Sequence, residues 1–247
     1  MLNTNHEVCD VKTVHLYNES YSQSYRDYDN EFVNTPYYTT FVPLLKELTL
    51  SFNRPIKVLD LGCGTGRYFH ALQNTVELTG IDIAAPMLNL AVHPLKEEEV
   101  NIPVINLIEG SAFEHDFAGE QFDFIYSIGV LGEHAPFTAD MCDKLYTLLT
   151  DEGMLMFTVV DIDERKNLKR RLAETAYPLL PEKIKHILDK RWETNYMTYK
   201  QLDNMMRGSR FDNYNIERIS LTSRVWTGAH LRCIANKYDT ISRPFFE

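Results

Sequence analysis

Residues 58–66, with the sequence VLDLGCGTG, restrict the local conformation more than any other segment of the chain. An apolar stretch containing Asp60 leads into alternating glycines at 62, 64 and 66, and residues 67–72 are typical of the first turns of a helix. Glycine has no Cβ and adopts unusual φ angles, so the backbone here can approach a ligand closely. The run predicts a strand, a loop and a helix whose unpaired N–H groups and dipole favour an anionic ligand group.

A second acidic residue follows at a regular distance. Asp82 closes the apolar run 78–82, twenty residues after Gly62, and is predicted to lie at the end of the second strand. A carboxylate in that position can accept hydrogen bonds from both hydroxyls of a ribose. The spacing therefore predicts a site for a nucleoside cofactor.

Two classes of cofactor use this geometry. Dinucleotide-binding folds have the pattern G-x-G-x-x-G, but here the third glycine comes one residue early and Arg67 stands where that pattern has glycine. Asp60, two residues before the first glycine, would repel a pyrophosphate and favour an ammonium group. A nicotinamide-dependent oxidoreductase is the weaker alternative, and it predicts binding of NAD(P)H.

The centre of the chain alternates between strand and helix signals, which implies a parallel sheet with helices on both faces. Strands are predicted at 56–61, 76–81, 104–108, 122–128 and 154–160, helices at 66–73, 86–91, 139–149 and 199–206, and two late β segments at 214–221 and 230–236.

The glycine loop with its correctly spaced acid resembles the first motif of class I S-adenosylmethionine-dependent methyltransferases. Residues 110–112 and 127–134 resemble the third- and fourth-strand motifs of that family, with Ser111 where aspartate is common and an extra Gly132 before Glu133. The resemblance covers about residues 56–160. It implies an α/β, Rossmann-like, seven-stranded and mostly parallel sheet with an antiparallel edge hairpin, and S-adenosylmethionine as cofactor, with S-adenosylhomocysteine as product.

The resemblance also implies the residues of the site. Asp60 would lie near the cofactor ammonium, Asp82 would hold the ribose, and Ile83 would pack on the adenine. The other interpretation of Asp82 is the N-cap of the next helix, a role compatible with ribose binding. The expected cofactor-binding residues are Asp60, Gly62, Gly64, Gly66, Asp82, Ile83, Met87, Ser111, Ala112, Ser127 and Tyr28. Tyr25 is the alternative to Tyr28 as the tyrosine that closes over the cofactor.

His134 is the candidate catalytic residue, because imidazole can accept a proton near neutral pH. The alternative is that this histidine only orders its loop. Some related quinone O-methyltransferases bind a divalent metal through two glutamates and a histidine in this segment. This chain keeps only Glu133 and His134 of that set, so no metal is predicted.

Two segments lie outside the predicted core. Residues 1–54 are rich in tyrosine, and residues 161–197 carry amphipathic helical patterns interrupted by proline. Insertions at the carboxyl ends of strands cover the ligand crevice, so both segments are predicted to form lids. We expect one methyltransferase domain over 1–247, with an N-terminal lid at 1–54, a cofactor-binding core at 55–160, a helical lid at 161–197, and a C-terminal helix and hairpin at 198–247.

Composition limits the classes of partner. The chain has 247 residues, 25 basic and 35 acidic, with a formal net charge of −10, so the basic footprint expected for nucleic-acid binding is missing from the overall balance. Its four cysteines form no C-x-x-C pair, which argues against a disulfide framework or a zinc site.

The N-terminus is polar, and no run of apolar residues approaches the length of a membrane span. A cytoplasmic location is expected.

The sequence therefore predicts methyl transfer to an oxygen or nitrogen of a small metabolite that the two lids enclose. Two alternatives stay open. One is an RNA or protein methyltransferase built on the same core. The other is a cofactor-binding fold used for non-methylating catalysis, which the fold alone does not separate from methyl transfer.

Overall fold

The structure is a computed structural model that describes residues 6–31, 35–162, 195–220 and 229–237. Its helices are α1 (His6–Leu16), α2 (Glu19–Glu31), α3 (Pro36–Ser51), α4 (Ala85–Ala91), α5 (Ala139–Leu148) and α6 (Tyr199–Arg207). Its strands are β1 (Ile56–Leu61), β2 (Thr75–Asp82), β3 (Val104–Glu109), β4 (Phe122–Ser127), β5 (Leu149–Val160), β6 (Asn213–Ser220) and β7 (Ala229–Asn236).

The seven strands form one sheet in the order β3-β2-β1-β4-β5-β7-β6. The first five are parallel, and β7 is antiparallel to both β5 and β6. The predicted mostly parallel sheet with an antiparallel edge hairpin is confirmed. Strand order reverses between β1 and β4, and ligands of open α/β sheets bind in the crevice beyond the strand ends at such a point.

The central strands are apolar because both of their faces are covered. Successive side chains of a strand point to opposite faces, so Val58 and Phe124 pack with the helix α3 while Leu59 and Ile125 pack with α5 and α6. All six residues of β4 are buried. This double-sided core fixes the positions of the strand ends that surround the crevice.

The predicted helix at 66–73 is wrong. Turns follow β1, and the only helical residues there are the single 3-10 turn Phe69–Ala71. Residues 68–72 are all buried, which leaves no exposed face for an amphipathic helix. Gly66 also has a φ of +73°, in the left-handed region. Tertiary packing therefore overrides a helical pattern in this segment.

The N-terminal segment forms the helices α1, α2 and α3. Arg26 on α2 donates hydrogen bonds to the carbonyls of Leu90 (2.9 Å) and His93 (2.9 Å), at the C-terminal end of α4, and to that of Thr65 in the glycine loop. An arginine at a helix C-terminus satisfies carbonyls that have no partner within the helix. These bonds hold α2 against the loop that follows β1.

Most of the predicted lid at 161–197 lies outside the described residues, which resume at Asn195. Met197 pairs with Asp161 in a parallel bridge, so the segment leaves and rejoins the fold beside the end of β5. Across the parts of the chain that the structure covers, none of the helices is long and apolar enough to span a bilayer.

Candidate functional site

A cleft opens at the carboxyl ends of β1, β2 and β4, with about 730 Å³ of empty space that includes its opening to solvent. Its walls come from α1 and α2, the glycine loop, the β2–α4 connection, and the loops after β3 and β4. The structure brings eight of the expected residues to this cleft: Gly62, Gly64, Asp82, Ile83, Met87, Ser111, Ala112 and His134.

Four expected residues lie elsewhere. Asp60 lines a second, smaller cavity beside the cleft. Ser127 is fully buried and donates a hydrogen bond to the carbonyl of Leu61 (2.8 Å), and Gly66 packs close to the Phe69 ring. Tyr28 is 40% exposed on α2 and lines neither cavity.

The glycine loop is fixed to the end of β2. The amides of Gly62 and Cys63 donate to the carbonyl of Ile81, at 2.8 and 3.1 Å, and that of Gly64 donates to Asp82 Oδ2 at 2.8 Å. Gly62 has a φ of +82°, and a Cβ there would lie 2.2 Å from a methyl group of Val130. The loop is therefore closed to any side chain at position 62.

We expect Gly62→Ala to lower the free energy of unfolding by about 2–4 kcal/mol, because the left-handed φ is strained for alanine and the added methyl collides with Val130. Thermal or urea unfolding measures the change. Gly208→Ala is the matched control: its Cβ would meet only ordinary contacts at 3.5 Å or more, so we expect a change within about 0.5 kcal/mol. Equal stability of both variants would contradict the role assigned to the loop.

The Asp82 carboxylate organises the loop and faces the cleft. Oδ2 accepts from Gly64, and Oδ1 accepts from the Ala84 amide at 2.9 Å. Asp82 is not the N-cap of α4, because that position is Ala84, which has no side-chain cap. Burial raises the pKa of Asp82, and the backbone hydrogen bonds oppose that rise. Each oxygen keeps capacity for a further donor.

The Asp60 carboxyl is buried below the loop, with 3% of the residue exposed. Tyr126 donates a hydrogen bond to Asp60 Oδ2 at 2.5 Å. Burial raises the pKa of Asp60 to about 8; the Tyr126 hydrogen bond opposes this and the charge of Asp82 adds to it. At neutral pH without a ligand, Asp60 is therefore mostly protonated. A cation placed beside it would favour ionisation.

One end of the cleft is apolar. Ile83 and Met87 line it from the β2–α4 connection, while Ala112 and Phe113 line it from the loop after β3. The His6 ring of α1 stacks on Phe113 with ring centres 4.9 Å apart. Ser111 Oγ accepts from the Phe113 amide at 3.3 Å. This end of the cleft suits a flat aromatic group.

His134 lies at the opposite wall, in the loop after β4. Its Nε2 is 3.0 Å from the Tyr17 hydroxyl, and the two rings meet edge to face at 5.4 Å. Burial raises the pKa of Tyr17, so Tyr17 is a neutral hydroxyl. The extra Gly132 has a φ of +67°, and its amide donates to Ala135 (2.7 Å), closing the turn that presents His134.

Four N-terminal residues line the cleft, and of these the sequence suggested only Tyr25, on α2, as an alternative to Tyr28. The sequence prediction did not identify the other three, which are Asp10 and Thr13 on α1 and Tyr17 between α1 and α2. Tyr17, Tyr21 and Tyr25 are spaced four residues apart, which is the signal for one helical face. Their rings are in contact in the structure.

The expectation of no metal stays a prediction. Among the residues that the structure describes, no group of three or more His, Cys, Asp or Glu side chains is arranged to hold a metal ion. Glu133 Oε2 instead lies 4.0 Å from Nε2 of His230, which is also 2.9 Å from the Tyr37 hydroxyl.

Solved structures share this architecture. A magnesium protoporphyrin IX methyltransferase from Synechocystis, with bound S-adenosylhomocysteine, superposes with a TM-score of 0.61 at 16% identity, over 92% of this chain and 99% of the other. A phosphoethanolamine N-methyltransferase from Haemonchus contortus, in complex with S-adenosyl-L-methionine, gives 0.66 at 13% identity, over 90% and 58%. The sheet therefore defines a Rossmann-like methyltransferase fold.

Sequence comparisons indicate the reaction class. A family model described as a methyltransferase domain matches residues 58–153. The chain is 26% identical over 175 residues to a demethylmenaquinone methyltransferase of Lactiplantibacillus plantarum, covering 66% of this chain and 73% of the relative. It is also 26% identical over 179 residues to a carboxy-S-adenosyl-L-methionine synthase of Helicobacter pylori, covering 68% of each. The domain model and these relatives support a class I S-adenosylmethionine-dependent methyltransferase, within EC 2.1.1.

Proposed function

We propose that the cleft binds S-adenosylmethionine in one orientation, with the ribose on Asp82, the adenine between Ile83 and Met87 on one side and Ala112 on the other, and the methionine chain along the glycine loop. The observation that carries this proposal is the geometry of Asp82. Its carboxylate is half-buried at the end of β2, fixed by two backbone amides, and retains acceptor capacity toward the cleft.

Further features fit the same cofactor. Gly62 and Gly64 line the cleft, and Ser111 and the Ala112 backbone can meet the adenine edge. In this assignment Ser127 and Gly66 stabilise the glycine loop without contacting the cofactor. Of the two tyrosines that the sequence offered for the covering role, Tyr25 takes it rather than Tyr28, because Tyr25 lines the cleft. When bound, the cofactor supplies a methyl group already activated by the sulfonium.

The protein's contribution to methyl transfer is then alignment. Holding donor and acceptor in line can supply roughly 7–11 kcal/mol of the barrier reduction. Tyr17 and Tyr25, on the N-terminal side, cover the middle of the cleft and exclude water. We infer that the N-terminal helices serve as a lid and that an acceptor enters between that lid and the loop after β4, beside His134.

The acceptor we propose is a small molecule, methylated on oxygen or nitrogen. Residues of α1 and α2 form part of the cleft wall, and the net charge of −10 disfavours nucleic acid. Relatives and structural neighbours are named for small acceptors, among them demethylmenaquinone, phosphoethanolamine and magnesium protoporphyrin IX.

Incubation with methyl-labelled S-adenosylmethionine and a panel of small hydroxyl and amine metabolites tests this function. We expect label in a small-molecule product and formation of S-adenosylhomocysteine. Parallel incubations with bulk RNA and with a protein extract provide the controls for the RNA or protein alternative. Label that appears only in macromolecules would contradict a small acceptor.

A second candidate function follows from one of the relatives. The Helicobacter pylori protein is named as a synthase of carboxy-S-adenosyl-L-methionine, so a chain similar to this one is named for a modified form of the cofactor. Mass spectrometry of the cofactor separates the two functions when the incubations are repeated with small carboxylic acids added as carboxyl donors. Conversion to S-adenosylhomocysteine with a methylated product supports methyl transfer, whereas a carboxylated cofactor supports the second candidate.

His134 is proposed as the base for a hydroxyl acceptor. We expect His134→Ala to lower kcat about 100-fold, within the usual range for general base catalysis, and to change S-adenosylhomocysteine affinity less than threefold. Tyr17→Phe removes the hydroxyl that meets His134 Nε2 and is the matched variant, with a smaller expected effect. Wild-type turnover in His134→Ala would leave His134 with a role only in ordering its loop.

A further inference from the structure

The loop after β4 carries a carboxylate that the proposed function so far leaves without a role. Glu133 directly precedes His134 in this loop. Its amide donates to the carbonyl of Val130 at 3.1 Å, and its own carbonyl accepts a hydrogen bond from the Asn195 side chain at 3.3 Å. These two bonds hold the backbone from which the Glu133 side chain extends.

The Glu133 carboxylate lies beside the cleft. Its Oε2 is 3.8 Å from the point that a Cβ on Gly129 would occupy, and apart from the residues next to Gly129 no other described atom lies within 4 Å of that point. Gly129 lines the cleft, whereas Glu133 lies just beyond the lining. The Glu133 side chain is 20% exposed. The carboxylate therefore adjoins open space at this side of the cleft.

This carboxylate has no effective counter-charge in the part of the chain that the structure describes. It accepts no hydrogen bond there, and its one ionic neighbour is His230, whose Nε2 lies 4.0 Å from Glu133 Oε2 and 2.9 Å from the Tyr37 hydroxyl. His230 Nδ1 is buried without a partner. A protonated ring would place an N–H at that nitrogen with no acceptor, which disfavours the cationic form. His230 is therefore a poor counter-ion for Glu133.

The groups around Glu133 are aromatic and neutral. Burial raises the pKa of Tyr17, of Tyr25 and of Tyr37, and the charge of Glu133 adds to the rise in each. Tyr17 and Tyr25 line the cleft, with ring centres 6.3 Å apart. Aromatic rings attract cations, and a carboxylate makes strong hydrogen bonds to an ammonium group. Together these side chains favour a ligand with a protonated amine.

We propose that Glu133 recognises the acceptor by binding a protonated amine of that molecule, beside Tyr17 and Tyr25. This inference rests on the proposed function, because it places the acceptor next to the cleft that holds the cofactor. It makes Glu133 a specificity-determining residue and narrows the acceptor to small molecules with a basic nitrogen. An amine supplies the missing positive charge, whereas a hydroxyl in its place leaves the charge of Glu133 unbalanced.

Label transfer to a small-molecule metabolite extract tests the acceptor class. The whole protein is incubated with methyl-labelled S-adenosylmethionine and the extract, and labelled species that do not form without enzyme are identified by mass spectrometry. We expect a labelled product that contains a basic nitrogen. A labelled product without one overturns the inference and leaves methyl transfer to a small molecule standing. Label in no small molecule contradicts the inference and the proposed function together.

Glu133→Gln tests the residue itself, because it keeps the shape of the side chain and removes its charge. With the acceptor identified in the extract, we expect its KM to rise about 10- to 100-fold and the affinity for S-adenosylhomocysteine to change less than threefold. Wild type should prefer this acceptor to its hydroxyl analogue, and the variant should lose that preference. Glu77→Gln is the matched control, since Glu77 pairs with Lys57 at 2.6 Å near the start of β2, away from the cleft.

Two results with Glu133→Gln would overturn the inference. One is an unchanged KM for the acceptor. The other is a raised KM for S-adenosylmethionine with an unchanged KM for the acceptor, which would assign the carboxylate to the sulfonium of the cofactor. Should Glu133→Gln not fold, Glu133→Asp keeps the charge on a shorter side chain. A retained preference for the amine over its hydroxyl analogue in that variant supports the proposal, and an equal KM for the two overturns it.

Discussion

Asp82→Ala is expected to weaken S-adenosylhomocysteine binding by about 100- to 1000-fold. Two charge-assisted hydrogen bonds to ribose hydroxyls are lost, each worth about 1.5–3 kcal/mol. The Gly64 amide also loses its acceptor, so the loop is held less firmly. We expect the variant to lose affinity while it still folds. Isothermal titration measures the affinity, and circular dichroism of the same sample checks the folding.

Two further variants sharpen this test. Asp82→Asn keeps the side-chain shape and one acceptor oxygen, and we expect an intermediate loss of affinity. Glu109→Ala is the matched control, because Glu109 pairs with Asp82 in the sheet register but is exposed and lies outside the cleft lining. Unchanged affinity in a folded Asp82→Ala would contradict the ribose assignment, whatever the control shows.

Asp60→Asn is expected to stabilise the ligand-free protein and to weaken its binding. The unfolded chain releases the Asp60 proton near pH 4, whereas the folded protein holds it to about pH 8. The unfolded state therefore binds fewer protons between these values, and wild-type stability falls as pH rises from about 4 to about 8, by at most about 1.4 kcal/mol per pH unit. Asparagine has no such proton, and its amide oxygen can still accept from Tyr126.

We therefore expect Asp60→Asn to unfold at a higher temperature than wild type at pH 8, by an amount equivalent to about 2–4 kcal/mol, and at a similar temperature near pH 4. Asp123→Asn is the control of opposite sign, because Asp123 pairs with Arg54 and accepts from the Lys57 amide, so its removal should destabilise. Equal unfolding temperatures for Asp60→Asn and wild type at pH 8 would contradict the raised pKa.

The same carboxyl sets the pH dependence of binding. An ammonium group beside Asp60 favours the ionised carboxylate, so ligand binding below about pH 8 releases a proton from Asp60. We therefore expect wild-type affinity to rise with pH between 6 and 7.5, by up to about tenfold per pH unit. Asp60→Asn should bind about 10- to 100-fold more weakly at pH 7.5 and lose this dependence. Calorimetric titration in two buffers of different ionisation enthalpy counts the protons released on binding. Wild-type affinity of Asp60→Asn at pH 7.5 would exclude the ammonium role of Asp60.

The strands and their mostly parallel arrangement were predictable because the physical signal is local. β1 and β4 are continuous apolar runs, as both of their faces are buried, and Asp60 and Asp82 mark the ends at which polar groups are needed. The alternation of strands with α4 and α5 then implies the parallel sheet. Most of the residues that line the cleft were predictable too, because they lie at the ends of these strands.

What the sequence missed depends on long-range packing. Residues 67–72 have helical composition, but the aromatic side chains Tyr68 and Phe69 are drawn into the core and the chain makes only a 3-10 turn. The choice between Tyr25 and Tyr28 depends on how α2 docks, which Arg26 and Asp29 decide through contacts with distant residues. Spacing along the chain carries no information about such contacts.

The central claim is that Asp82 and the glycine loop hold the nucleoside of S-adenosylmethionine in this cleft. A crystal structure with saturating S-adenosylhomocysteine tests it most directly. We predict the ribose hydroxyls within hydrogen-bond distance of the Asp82 carboxylate and the adenine beside Ile83 and Met87. A nucleoside bound elsewhere, or a cleft that stays empty at saturation, would contradict the claim.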